Sequence, residues 1–370
     1  MKKIVISFVA VLFLFCAGNL YAQDVIRLGV AGAHSGDLAS YGIPSSHAAK
    51  LVVDEINAKG GVLGKQVVIM QEDDVCRPEV GANVATKLVS NNVDLVLGHI
   101  CSGSTEAALP IYKDAGIVAM APSATKVELT KSGDYPNFFR TISPDDAQAK
   151  LQADFCIEQL KVKTAAVLHD KGAYGKALAE EVKQYLEEGN VKVVLMEGIT
   201  PGAVDYSAVI SKVNRSGAEV VIWGGYHPEA AKLVTGMKKR NMDVIFIGPD
   251  GVRDDTFIKV AGEYAEGVYA TGPIDTTSYP LAIAAIERHR EVYGSDPGAF
   301  YLNAYAAAIA LLNAIEKAGS TDYDKIVHAL RTEWVETPLG EISFDERGDA
   351  IGIGFAMYQV QNNAYAEVGK

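Results

Sequence analysis

The chain has 370 residues, 22% of them charged and 49% apolar, and 34 basic against 46 acidic side chains give a net charge of −12. A chain of this length exceeds what one hydrophobic core usually supports, so two domains are expected. The acidic balance argues against a nucleic-acid partner, whose binding rests on neutralising phosphates with Lys and Arg.

The first element reads as a secretion leader. Lys2 and Lys3 precede an almost unbroken apolar run over residues 4–15, and Leu20-Tyr21-Ala22 before Gln23 offers a signal-peptidase cut after Ala22. A run of about twelve residues is short of the roughly twenty that anchor a chain across a bilayer. Cys16 raises the alternative of a lipoprotein anchor, but Phe15 stands where that peptidase needs a small residue. No later segment has eighteen consecutive apolar residues, so a soluble mature protein is expected outside the cytoplasmic membrane. Loss of residues 1–22 removes two lysines and no acid, and the charge becomes −14.

Beyond the leader, apolar strand runs alternate with amphipathic helices. Strands are expected at 25–30, 67–71, 93–98, 117–121 and 138–142, with helices at 45–58, 78–90 and 104–115 between them. The pattern restarts with strands at 164–169, 191–196, 220–223 and 244–247 and helices at 174–188, 206–216 and 228–241. Such uniformly apolar strands suit parallel sheets covered by helices on both faces. The fold class is therefore α/β, with two doubly wound parallel-sheet lobes. The tail departs from this rhythm, with helices near 281–293 and 300–318 and strands near 341–344 and 355–361. Periodicity alone allows a simple tandem of the two lobes.

Cys76 and Cys101 each follow a strand-like run, and an exported protein can oxidise them. A bridge over their 25-residue separation would add roughly 3–4 kcal/mol on the chain-entropy estimate. Cys156 lies on the apolar face of a helical segment and reads as a buried free thiol. No pair has the CxxC spacing of a zinc or redox site.

In open α/β sheets, ligands bind beyond the carboxyl ends of the strands. Tyr41 lies in the glycine-rich turn after the first strand and could wall a pocket. Ser102 and Ser104 open a helix, where they either meet an anionic group or simply cap. The turn Pro122-Ser123-Ala124-Thr125 supplies hydroxyls and carbonyls without bulk. In the second half, Tyr174, Tyr226 and Asp250 follow strands. Each turn taken singly is ordinary turn chemistry. Together they can grip a zwitterion, with hydroxyls and N–H groups for the carboxylate, Asp250 for the ammonium and rings for the side chain.

Enzyme signatures such as G-x-S-x-G, H-E-x-x-H, G-x-G-x-x-G and a Walker A loop are absent from the sequence. The seven histidines show no metal-ligand spacing; His99 and His169, at strand ends, read as structural hydrogen-bonded imidazoles. Neither catalysis nor a cofactor is expected.

The sequence resembles the periplasmic leucine/isoleucine/valine-binding proteins of ABC transporters, over nearly the whole mature chain. The resemblance is carried in order by DEINAKGG (54–61), DDVC (73–76), GHICSGST (98–105) and PSAT (122–125), then by HDKGAYG (169–175), GGYHPE (224–229), GAF (298–300) and FDERGD (344–349). It implies a clamshell of the type I periplasmic-binding fold, with three hinge crossings and one amino acid held in the cleft. The implied lobes are 23–143 plus 274–353, and 144–273 plus 354–370.

Carried over by position, Ser102 and Thr125 would hold the α-carboxylate. The Ser123 carbonyl, with Thr125, would take part of the ammonium, and Tyr174 and Tyr226 would close over the ligand. Tyr41, Ile100, Ala124 and Phe300 would line the side-chain pocket, and Cys76–Cys101 would be the family disulfide. The family usually has glutamate where this chain has Asp250, one methylene shorter, which leaves open another amino acid or an amide as ligand. The implied partner is a membrane permease of an ABC importer, with a sensor subunit as the alternative role. A monomer is expected, since a clamshell must open and close without subunit constraints.

Overall fold

The structure is a computed structural model that describes residues 25–369; the expected leader and its cut after Ala22 lie outside the described residues. The first half runs β1 (Ile26–Gly32), α1 (Ala39–Ala58), β2 (Val67–Asp73), α2 (Pro78–Ser90) and β3 (Leu95–Leu97). It continues with α3 (Ser102–Asp114), β4 (Val118–Ala121), α4 (Glu128–Lys131) and β5 (Phe138–Arg140). These five strands form one parallel sheet in the order β2-β1-β3-β4-β5. Strands β3, β4 and β5 are buried throughout, the central β3 and β4 as expected of uniformly apolar segments covered on both faces.

α5 (Asp145–Asp154), continued by a π-helical turn at Phe155–Leu160, leads into the second series. It comprises β6 (Thr164–His169), α6 (Ala173–Glu188), β7 (Lys192–Gly198), α7 (Ser207–Ser216) and β8 (Val220–Gly224). Then come α8 (His227–Lys238), β9 (Ile245–Gly248), α9 (Asp255–Ala261) and β10 (Tyr269–Pro273).

The tail adds α10 (Pro280–Tyr293), α11 (Tyr301–Ala318) and α12 (Tyr323–Thr332). Five strands complete it: β11 (Val335–Thr337), β12 (Gly340–Phe344), β13 (Ala350–Ile351), β14 (Phe355–Gln361) and β15 (Ala364–Val368).

The tail divides between the lobes. Side chains of α11 and α12, including Tyr305, Leu311, Ile315 and Ile326, share a core with α1 and the first sheet. β14 pairs antiparallel with β10 and β15 with β14, so the second sheet reads β15-β14-β10-β9-β8-β6-β7. The chain thus passes between the sheets after β5, after β10 and before β14. This is a two-lobed architecture and not a simple tandem.

Two local differences from the sequence reading have clear causes. α1 begins at Ala39, six residues before the expected start, and contains Pro44 within its second turn. The apolar spacing of Ala48, Leu51, Val52 and Ile56 marks only the later turns, and a proline such as Pro44 is ordinarily expected at a helix start and not within it. β15 went unread because its hairpin turn is Asn362-Asn363, both at positive φ (53° and 61°), and not the usual Asn-Gly or Asp-Gly.

Candidate ligand-binding cleft

In each sheet the strand order reverses beside the first strand of its series: between β1 and β3 in one lobe, and between β6 and β8 in the other. At such a switch point neighbouring loops diverge and leave a crevice beyond the strand carboxyl ends. Tyr41 follows β1, and Ile100 and Ser102 follow β3. Tyr174 follows β6 and Tyr226 follows β8. The structure brings these residues together around one small cavity. Ser123, Asp250 and Phe300 complete the sequence-expected walls, and Cys101 and Gly251 were not foreseen there. A wider groove of about 600 Å³ opens beside it and shares Asp250 and Phe300. The small cavity is the place where the strand-end loops of both lobes converge.

Its walls are aromatic. The ring centroids of Tyr41 and Tyr226 are 6.0 Å apart, those of Tyr174 and Tyr226 5.2 Å, and Phe300 meets Tyr41 edge-on at 5.7 Å. Phe300 reaches this position in the left-handed region, at φ 60° immediately before α11. A bulky residue there stores on the order of 1–3 kcal/mol of strain, a cost typical of functional positions.

Polar groups divide between two ends. The residue preceding α3 is Cys101, which makes no side-chain cap. Ser102 and Ser104 therefore lie inside the helix and do not cap it, which removes that alternative. The Ser102 hydroxyl accepts from the Lys126 N–H at 3.3 Å, and the Ser104 hydroxyl is buried without a hydrogen-bond partner. A helix start this close to the cavity favours an anionic group. Ser123 donates its hydroxyl to the Ile100 carbonyl at 2.8 Å, tying two strand-end turns together.

Ala124 and Thr125 are not among the cavity walls. Ala124, expected to line the pocket, packs its methyl into the core beside α2 and α3. The reason is Arg140, fully buried, whose Nη1 donates to the carbonyls of Ala124 (3.2 Å) and Lys126 (2.9 Å) and fixes the turn. Its Nε pairs with Asp349 at 2.5 Å. Thr125 accepts the Asp145 N–H at its carbonyl (2.9 Å), and its buried hydroxyl faces the Asp145 carboxyl.

The opposite end is acidic, more so than sequence reasoning anticipated. Asp250 accepts from the Tyr174 hydroxyl and, at 3.2 Å, from Gln148 Nε2. The same Gln148 nitrogen lies 2.8 Å from Asp145, and Gln148 Oε1 accepts the Asp250 N–H at 2.7 Å. Burial pushes the Asp250 carboxyl up to about 6, against the pull of Tyr174 and Gln148. Burial and the neighbouring Asp250 charge hold Asp145 well above the usual carboxylate range. Two buried acids bonded to neutral groups are suited to receiving a cationic group, which lowers the cost of keeping them ionised. Asp145 and Gln148 were missed because α5 was not read as part of the site. Their only signal was polar residues in a helix start next to an apolar strand.

The remaining candidates resolve as structure. His99 Nδ1 lies 2.6 Å from Asp74 and Nε2 2.9 Å from the Tyr112 hydroxyl, so both ring nitrogens are engaged. His169 Nδ1 accepts the Lys171 N–H at 3.1 Å. Cys156 is a buried free thiol, pushed up to about 12 by burial. Cys76 and Cys101 form a disulfide with Cα atoms 5.5 Å apart, at the edge of the cavity.

Two doubly wound lobes facing one small cavity across their strand carboxyl ends define a two-lobed, cleft-binding protein for a small molecule. The chain belongs to the periplasmic binding protein family, whose model matches residues 25–365. It is 39% identical over 343 residues to the leucine-, isoleucine-, valine-, threonine- and alanine-binding protein of Pseudomonas aeruginosa, covering 93% of this chain and 92% of that one. It is 34% identical over 352 residues to the Leu/Ile/Val-binding protein of Escherichia coli, covering 95% of each. Among solved structures, it resembles a branched-chain amino acid transporter substrate-binding protein of Streptococcus pneumoniae in complex with isoleucine, with a TM-score of 0.83. That match has 28% identity and covers 93% of this chain and all of the other. A leucine-binding protein of Thermotoga maritima shares the fold, with a TM-score of 0.87 at 24% identity and coverage of 93% and 98%.

Proposed function

We propose that this protein captures a free aliphatic α-amino acid, of the leucine, isoleucine and valine class, outside the cytoplasmic membrane. It then delivers the amino acid to the permease of an ABC importer. The observation that carries the reading is the polarity of the cavity: Ser102 at the start of α3 at one end, Asp250 at the other, and aromatic walls between. The names of the curated relatives agree with this ligand class.

In this reading Ser102 holds the carboxylate, Thr125 stands behind the cavity wall with its hydroxyl toward Asp145, and Asp250, with Asp145 behind it, holds the ammonium. The Ser123 carbonyl assists the ammonium. Tyr174 and Tyr226 cover the ligand, while Tyr41, Ile100 and Phe300 shape the side-chain pocket. The lobes are 23–143 with 274–353 and 144–273 with 354–370, the protein acts as a monomer without catalysis, and secretion removes residues 1–22.

The test is a thermal-shift and calorimetric screen of ligand-stripped protein against the twenty amino acids and small amides. Leucine, isoleucine and valine should raise the melting temperature with one ligand per chain. A hundredfold excess over Kd corresponds to about 2.7 kcal/mol of stabilisation. A response confined to an amide or a polar amino acid would overturn the ligand class, and no response at all would overturn the amino-acid reading.

A further inference from the structure

We propose that the Tyr41 hydroxyl is a latch that holds the two lobes closed without contacting the ligand, and that His227 positions it. This inference rests on the cleft-binding reading and adds to it a residue that sets affinity by a different route. Tyr41 stands in the first turn of α1, in the first lobe, with its side chain 1% exposed. Its hydroxyl lies 2.6 Å from the Gly251 carbonyl oxygen and 2.6 Å from His227 Nδ1. Both partners belong to the second lobe, one just after β9 and the other at the start of α8.

The proton count fixes the roles. A carbonyl oxygen only accepts, so Tyr41 must donate its single proton to Gly251. The phenol oxygen then accepts from His227, which must carry its proton on Nδ1. Burial and the Asp254 charge hold the phenol well above its ordinary range, so the proton stays in place. Burial also lowers His227 and favours the neutral ring. With its donor committed to Gly251, the hydroxyl has no proton to give a ligand. Its ring packs against Tyr226 and Phe300, which line the cavity with it.

These groups meet across the cleft. When the lobes separate, water replaces each partner and little is lost. When the lobes of a Tyr41→Phe variant close, the Gly251 carbonyl and the His227 N–H are buried without partners. The substitution therefore penalises the closed form alone. A residue that contacts one part of the ligand changes the ranking of ligands. A latch weakens all of them by one common factor.

The experiment compares wild type, Y41F, H227A and H227N against leucine, isoleucine, valine, threonine and alanine. Affinity is read by calorimetry, association and dissociation by surface plasmon resonance, and lobe opening by X-ray scattering without ligand. Y41F and H227A should raise Kd on the order of tenfold for every ligand that wild type binds, through faster dissociation. H227N, whose amide can donate in place of Nδ1–H, should recover most of the loss. Ligand-free Y41F should scatter as a more open particle than ligand-free wild type. Unchanged affinity and dissociation in Y41F would overturn the latch, as would a loss confined to some ligands. If wild type binds none of the five, the ligand reading fails while scattering still decides the latch: identical ligand-free curves for wild type and Y41F overturn it.

Discussion

Asp250 is the residue on which ligand chemistry and protein stability pull in opposite directions. It is 2% exposed and its carboxyl is raised from 3.8 to about 6, mainly by burial. A folded pKa above the unfolded one means that the native state binds more protons over that interval. The group is then tolerated below pH ~4 and costs stability as the pH rises through about 6. Ligand-free Asp250→Asn should therefore be more stable than wild type at pH 8, and the difference should vanish near pH 4 in paired melting curves. If Asp250 holds the ligand ammonium as proposed, the same substitution removes a charge-assisted hydrogen bond worth about 1.5–3 kcal/mol, and affinity should fall by roughly ten- to a hundredfold in calorimetry. A variant that loses stability and affinity together would assign Asp250 a structural role instead. The strand-end residues Ser102, Tyr174, Tyr226 and Asp250 were legible because a switch-point site is built from the turns at the strand carboxyl ends. Asp145 was not, because its importance comes from Gln148 bridging it to Asp250, a residue far away in sequence.

At the scale of elements, the rim of the first lobe is held by two devices. One is Arg140, which pins the turn after β4 and the Asp349 loop together. The other is the Cys76–Cys101 disulfide, which joins the approach to α2 to the start of α3. Cys101 is a cavity wall, so the bond fixes the local backbone and also shortens the unfolded chain's freedom. Closing a 25-residue separation is worth roughly 3–4 kcal/mol on the chain-entropy estimate. The double substitution Cys76→Ser with Cys101→Ser should lower stability by about that amount in urea titrations, and reductant should have no further effect on it. A melting curve equal to that of oxidised wild type would show that the native loop is already ordered by α2 and α3 packing. Helices with strong signals at both ends, such as α2 with Pro78 at its start and Lys87 in its last turn, fell where expected. Short elements such as α9 and β11 lack such periodicity and take their conformation from neighbours.

For the whole molecule, three passages of the chain between lobes make a hinge, and Tyr41, His227 and Gly251 show the lobes in contact across the cleft. Ligand that bridges Ser102 in one lobe and Asp250 in the other should favour this closed arrangement. Small-angle scattering of wild type should show a smaller radius of gyration with saturating leucine than without it. Equal radii would mean that the ligand enters a cleft already closed, and would remove closure from the mechanism. By itself the sequence determined the two series of buried parallel strands and their helical cover, because apolar periodicity is a local property that burial on both faces requires. It also determined which strand-end turns carry hydroxyl, aromatic and acidic groups. Only the tertiary structure decided that α11 and α12 pack on the first sheet while β14 and β15 extend the second. It alone placed Asp145 beside Asp250, turned Ala124 into the core and set the Tyr41 hydroxyl against the opposite lobe. Each of these depends on residues distant in sequence meeting across a hinge or within a packed core, and no local pattern encodes that meeting.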